Sequence, residues 1–302
     1  MTRLDMRMLR EMYERGENIT RHVRQSEYSN CNSEQAILYA YEAQSGSYVA
    51  AMSNPQFFPV KKRFNDKLSS IVRSYEPGSL LDAGTGEGTT FGSIVDAMEG
   101  QKCSFHAFDL SLSRLLVAKE FLGNRQVNLF TARLGDIPLL DKSVDVVMTV
   151  HAMEPNGGRE KELLNELWRV TRKHLILLEP AYELASEASR ARMEEHGYVR
   201  NLKELLAEIG APISTYEKWN EDINPLNEAG LIVASRNRDE ISQGDSSQPE
   251  IVSPVSGGAL IPVCGGLFCP LDGYVFPVIE GIPCLLQENG ILASALSPSN
   301  ES

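Results

Sequence analysis

The sequence predicts an α/β protein: a largely parallel sheet with helices on both faces, a helical segment before it and a small β-rich module after it. Three observations carry that prediction. Between residues 76 and 236, short β-rich runs alternate with helix-length stretches, the rhythm of right-handed βαβ units. The first run ends in a glycine-rich turn, LLDAGTGEGTT at 80–90. Beyond residue 237 a polar, aperiodic stretch gives way to sequence dense in Gly, Pro and β-branched residues.

Taken in order, residues 1–75 form an N-terminal helical cap. Leu4, Met8, Leu9, Met12 and Tyr13 recur at helical spacing, and Asn32 or Ser33 is placed to cap a helix entering AILYAYEA. Asp5, Glu11, Glu14 and Glu17 argue against a transit peptide there. In 76–236 the strands are SLLDA, SFHAFDL, VNLFTA, VDVVMTV and HLILLE. Between them lie helical stretches such as TTFGSIVDAME, SRLLVAKEFL and REKELLNELWRV. YVRNLKELLAEIG reads as one more helix, and STYEKW and GLIVASR as two closing strands. Residues 237–250 are a linker, 251–290 a compact all-β module and 291–302 a tail.

Composition narrows the function classes. At 302 residues and 42% apolar, the chain can bury one large core beside a satellite domain. No apolar stretch approaches the roughly 20 residues of a membrane span. Five scattered cysteines fit reduced thiols in a cytoplasmic protein better than a disulfide framework. The net charge of −12 is uneven: residues 251–302 hold Asp272, Glu280, Glu288 and Glu301 and no Lys or Arg. Such a surface offers a polyanion no clamp, which weighs against nucleic acid as a partner.

The glycine turn lies where open parallel sheets bind ligands, at the carboxyl end of a strand near the switch point. Gly84, Gly86 and Gly88, with Thr85 between the first two, let backbone approach a ligand closely and present the N–H groups of the next helix. The pattern is GxGxG preceded by Asp82, not the GxGxxG of dinucleotide sites, and that difference favours S-adenosylmethionine over NAD. An amino group wants a carboxylate there, met directly or through water, and no pyrophosphate needs cradling. Asp109, with Leu110 after it, ends the second strand, where a carboxylate can accept both ribose hydroxyls; its alternative role is to cap the helix that follows. Asp136 and Ile137 follow the third strand, a carboxylate and an apolar cover suited to an adenine.

The series DAGTGEG, FDLS, GDIPLLDKSVDVV and LILLEP resembles the class I S-adenosylmethionine-dependent methyltransferases, especially the type 11 group of small-molecule enzymes. The resemblance implies an enzyme with a seven-stranded Rossmann-like sheet whose last strand is antiparallel. It implies that Asp82, Gly84, Gly86 and Gly88 hold the methionine end, Asp109 the ribose, and Asp136 with Ile137 the adenine. YEAQSGSY at 41–48 resembles the YDxxAxxYD segment that covers the cofactor in this group, with Ser45 for Ala and Val49 for the last Asp. It implies a lid role for Tyr41 and Tyr48, whose alternative is the packing of two helix aromatics.

Methyl transfer from a sulfonium needs positioning above all. A hydroxyl acceptor also needs a base, and VHAMEPNGG after the fourth strand offers His151, with Glu154 in reserve; shaping the pocket is the other role open to His151. Glu179, after the fifth strand, reads as a loop cap, with lining of the acceptor pocket as its alternative role. The expected acceptor is a small molecule, such as a sugar or glycan-precursor hydroxyl. RNA or protein methylation, with the C-terminal module recruiting the acceptor, and a non-catalytic cofactor-binding scaffold are the alternatives. That module resembles the zinc ribbon of the small activator subunit of tRNA and protein methyltransferases. It carries Ser253, Ser256, Cys269 and Asp272 at the ligand positions, so a degenerate ribbon without metal is expected.

Overall fold

The computed structural model describes residues 5–26, 31–221, 223–237 and 249–296. Most of the linker read at 237–250 therefore lies outside the described residues, as do Leu4 and the end of the tail. Three helices, α1 (Met6–Glu14), α2 (Ile19–Ser26) and α3 (Glu34–Gln44), pack on one another through Leu9, Met12, Ile19, Val23, Ala36 and Ala40. Ser33 caps α3, its hydroxyl accepting from the Ala36 N–H at 3.1 Å. Asn32 instead donates to Pro155 O and His196 O, tying the cap to the body of the protein.

A short α4 (Ser47–Ala51) leads into α5 (Phe57–Ser74). Then come β1 (Ser79–Ala83), α6 (Phe91–Ala97), β2 (Ser104–Asp109), α7 (Leu112–Leu122), β3 (Val127–Thr131), β4 (Val144–Val150), α8 (Glu160–Val170) and β5 (Thr171–Pro180). The body closes with α9 (Glu187–His196), α10 (Leu202–Glu208), β6 (Ile213–Lys218) and β7 (Ala229–Ser235). Seven strands form one sheet in the order β3-β2-β1-β4-β5-β7-β6, with β7 antiparallel to both neighbours, the sheet the resemblance implies.

The strands read as near-continuous apolar runs because both faces are covered. Leu80, Val146, Met148, Ile176 and Leu178 meet Phe64, Leu68 and Val72 of α5 and Phe91 and Ile94 of α6. Leu81, Val147, Leu175 and Leu177 meet Leu163, Leu164 and Leu167 of α8 and Leu202 and Leu206 of α10. Burying each such side chain contributes about 1.5–3 kcal/mol. Across the bottom of the sheet Asp145, 1% exposed, joins three strands: it accepts from Gly78 N, from Arg172 at 2.5 Å and from Lys173 at 3.0 Å.

The C-terminal module is an antiparallel sheet of β8 (Ile261–Val263), β9 (Gly266–Phe268), β10 (Tyr274–Ile279), β11 (Ile282–Pro283) and β12 (Ile291–Leu292). It docks on the edge strand β3, where Thr131 bridges Cys284 in parallel and Leu285 N donates to Thr131 Oγ1 at 2.9 Å. Phe276 and Leu285 enter the main core. The four ribbon positions do converge. Asp272 accepts the hydroxyls of Ser253 and Ser256, each at 2.6 Å, and the N–H of Tyr274, while Ser256 lies 3.6 Å from Cys269 Sγ. A carboxylate receiving two hydroxyls ties the two turns together, the connection a cation makes in a metal ribbon.

Two tests follow from these contacts. Asp145→Ala, which removes a buried carboxylate from Arg172, Lys173 and the Gly78 N–H, should cost about 3–5 kcal/mol in urea melts at neutral pH. Burial works against the Asp145 charge, but Lys173, Gly78 and Arg172 outweigh it and hold its pKa below the ordinary 3.8. Its contribution is therefore complete above 3.8 and drains as the pH falls through the depressed value. For the module, Asp272→Ala should lower the melting temperature by an amount equivalent to about 1–3 kcal/mol, whereas a chelator should leave the wild-type melting temperature unchanged.

Candidate functional site

The strand order reverses between β1 and β4, opening a crevice at their carboxyl ends. A cavity of about 330 Å³ lies there, walled by Gly84, Thr85, Gly86 and Glu87 on one side and by Val150, His151 and Ala152 on the other. Gly84 has φ +81°, and a Cβ on it would sit 2.5 Å from the Cβ of Ala152, so both the turn and the contact between the loops demand glycine. The N–H groups of Gly84 and Thr85 both donate to Phe108 O at 2.9 Å, fixing the loop to the end of β2. Gly88 does not reach the cavity. It faces Leu122 and Ala118, letting α7 approach the start of α6.

Asp109 and Leu110 line the cavity. The Asp109 carboxylate accepts from Gly86 N at 2.8 Å and Ser111 N at 2.9 Å, so each oxygen is oriented by one amide and keeps acceptor capacity for a ligand. The cap of α7 is Ser111, not Asp109. Asp82 is buried just beneath the loop; its Oδ1 has no hydrogen-bond partner, and burial pushes its pKa up to about 7.

Asp136 and Ile137 are not at the cavity. The chain folds back after β3, with Asp136 N donating to Arg133 O, which sends the Asp136 carboxylate outward to Gln287 and buries Ile137 in the core. The cavity wall beyond β3 is Ala132, Arg133 and Leu134. Arg133 is held by Glu34 of α3, at 2.7 Å, and by Glu288 of the C-terminal module. The apolar residue of this stretch that lines the cavity is Leu134, three residues before Ile137.

Tyr41 and Tyr48 both line the cavity, and the guanidinium of Arg114 lies over their rings at 4.7 and 4.9 Å. Two carboxylates fasten this cover. Glu42 accepts from Ser111 Oγ at 2.7 Å at the start of α7. Glu87, from the glycine loop itself, accepts from Gly46 N at 2.9 Å and Val49 N at 2.7 Å.

At the β4 end, His151 has φ +53°, unusual for a residue with a side chain and the kind of local strain that folds retain at working sites. Its Nδ1 lies 3.1 Å from Glu154 Oε2, and Asn227 Nδ2 donates to the same oxygen at 3.0 Å. Burial opposes charge on the ring, but Glu154 and then Glu179 outweigh it and hold the His151 pKa above its ordinary 6.5. Burial likewise opposes the Glu154 charge, but His151, Asn227 and Arg192 hold its pKa below the usual range. Glu179 caps the loop, accepting from Ala152 N at 3.0 Å, and burial pushes its pKa up to about 7.

Lys61 was not foreseen from the sequence, although it shares a helix face with Phe64, Asn65 and Leu68, so a charge on the buried side of α5 was visible in FFPVKKRFNDKL. Its ammonium lines the cavity, donates to Thr90 Oγ1 at 2.6 Å and has its pKa lowered to about 8 by burial. It suits the carboxylate of an amino-acid ligand, and the glycine cradle suits its neighbouring atoms; Asp82 lies beneath the loop, outside the cavity lining. The residues present therefore fit S-adenosylmethionine.

Solved methyltransferases are among the structures similar to this chain, at low identity. A S-adenosylmethionine-dependent methyltransferase from Aquifex aeolicus is 18% identical over 55% of this chain and 87% of its own, with a TM-score of 0.41. Magnesium protoporphyrin IX methyltransferase from Synechocystis PCC 6803 is 15% identical over 59% and 84%, with a TM-score of 0.47. A complex between a methyltransferase activator and a methyltransferase from Haloferax volcanii matches at 14% identity over 58% and 92%, with a TM-score of 0.45. No curated protein matches the sequence. S-adenosylhomocysteine binding, measured by calorimetry, tests the cavity directly: Asp109→Ala should weaken it by about 1.5–3 kcal/mol, roughly 10–100-fold. Wild-type affinity should also fall as the pH rises through about 8, where Lys61 loses its charge, and Lys61→Met should abolish that fall. Residues 80–174 match the methyltransferase domain family, and with the glycine loop, Asp109 and the β1–β4 crevice in place, the chain carries the domain of an S-adenosylmethionine-dependent methyltransferase.

Proposed function

We propose that the chain methylates a hydroxyl group of a small molecule, with His151 taking the proton. The observation that carries this reading is the His151–Glu154–Asn227 array on the cavity wall. S-adenosylmethionine supplies an already activated methyl group, and the protein has to orient the acceptor and remove its proton. An ionised Glu154 only accepts hydrogen bonds, so it selects the tautomer with the proton on Nδ1 and leaves Nε2 with a free lone pair. The amide of Asn227 holds the carboxylate in that position. Once Nε2 has taken a proton, the imidazolium faces Glu154 and is stabilised by it.

Enclosure favours a small acceptor over a macromolecule. Tyr41 and Tyr48 cover the cavity from the N-terminal side, and the C-terminal module brings no Lys or Arg that would draw in a polyanion. No helix among the described residues is long and apolar enough to cross a membrane.

Turnover should rise with pH through an ionisation above 6.5, because the neutral ring is the base and Glu154 raises its pKa. Glu154→Gln should move that limb to lower pH while lowering kcat. His151→Ala should reduce kcat by roughly 10²–10⁴-fold with S-adenosylhomocysteine affinity within about twofold of wild type. The opposite split, weakened binding with kcat unchanged, would make His151 part of the donor wall.

A further inference from the structure

A second cavity, of about 320 Å³, adjoins the first. The two share Tyr41, Tyr48, Glu154 and Arg192 in their walls. The second lies between the N-terminal helices and α9, which are held together by Arg21 on Glu195, Arg24 on Glu195 O and Asn18 on His196. Glycine-loop residues and Asp109 line the first cavity and not the second. A chamber of this size meeting Glu154 fits the part of an acceptor that does not react.

Its chemistry is polar, and one guanidinium N–H in its wall has no hydrogen-bond partner. The amides of Asn18 and Gln44 and the hydroxyl of Thr20 line it, groups that can both give and take hydrogen bonds with a polyhydroxylated ligand. Four charged or titratable side chains other than tyrosine face it. Glu17 is paired with Arg15 at 2.7 Å, Glu154 is engaged by His151 and Asn227, and His196 by Asn18. The fourth is Arg192, whose guanidinium rests over the Tyr198 ring and whose Nη1 is buried with no hydrogen-bond partner. A buried guanidinium N–H without an acceptor is costly, and a bound carboxylate or phosphate relieves that cost through charge-assisted hydrogen bonds.

We infer that the acceptor is an anionic, hydroxylated small molecule, a sugar acid or sugar phosphate, that spans the two cavities with its anionic group on Arg192 and its reacting hydroxyl at His151. This rests on the proposal that the chain methylates a small-molecule hydroxyl, and adds the charge of the substrate and the residue that selects it. Arg192 is then a specificity residue in contact with the substrate, remote from the atoms that react.

The test uses the full chain with methyl-labelled S-adenosylmethionine and a whole cell extract; macromolecules are separated from small molecules after the reaction, and the small products are resolved by anion exchange at neutral pH. Label should appear in a retained, anionic product. Arg192→Met should reduce its formation at least 50-fold while calorimetry shows S-adenosylhomocysteine affinity within twofold, and Arg192→Lys should restore part of the loss by a lower KM. Label in the unretained, neutral fraction, in macromolecules or nowhere overturns the inference, as does an Arg192→Met variant that transfers at the wild-type rate. Label only in macromolecules also defeats the small-molecule proposal, whereas a neutral labelled product leaves that proposal standing and removes only the anionic acceptor.

Discussion

The contact between Gly84 and Ala152 is the constraint on which the site depends. Two parallel strands that diverge at a switch point leave a gap, and a ligand held from both sides needs the gap to be narrow and constant. The backbone of one loop is brought against the Cβ of the other, and only a residue without a side chain permits that distance. The strain at His151 belongs to the same arrangement: its positive φ lies one residue before Ala152, so the turn that brings Ala152 to Gly84 is also the turn that carries the imidazole to the cavity wall. Glu179 pins that turn from below by accepting from Ala152 N. Donor loop and proposed base are thus mechanically one unit.

Around this contact lie titratable groups in surroundings that change their behaviour. Asp82 and Glu179 have their pKa values pushed up to about 7 by burial, and that of Lys61 is brought down to about 8. Burial disfavours charge for both signs, which is why a carboxylate and an ammonium move toward each other on the pH scale. Such groups are poised to gain or lose charge when a ligand's own charges enter, so the free site and the loaded site need not hold the same number of protons.

The architecture was legible from the sequence because its signal is repeated along the chain: strands buried on both faces leave continuous apolar runs, and glycines that must take positive φ leave an uncommon spacing. The presence of His151, Glu154, Asp109, Tyr41 and Tyr48 around one cavity was legible because each sits at or next to a strand end, or in a short motif, where sequence position nearly determines spatial position. Asp136 misled for the complementary reason. Past the end of β3 the chain makes a tight turn, and once a chain leaves its strand each further residue can point anywhere, so a carboxylate five residues on carries no positional information. Arg192 and Asn227 were invisible because they reach the cavity from α9 and from the segment before β7, far along the chain, and only tertiary packing brings them to His151 and Glu154. Lys61 stands between these cases: its helix face was readable, but not what that face would meet.

The docking of the C-terminal module on β3 changes how the protein responds to dilution. Two separate chains joined by the same parallel bridge, the Thr131 hydroxyl and the buried Phe276 and Leu285 would come apart at low concentration. The chain between residues 237 and 250 is a covalent tether that makes the association intramolecular, so it does not weaken on dilution. Arg133, at the wall of the donor cavity, therefore keeps its Glu288 partner however little of the protein a cell contains. Cutting that tether would turn a fixed feature of the active site into one that depends on how much of each fragment is present.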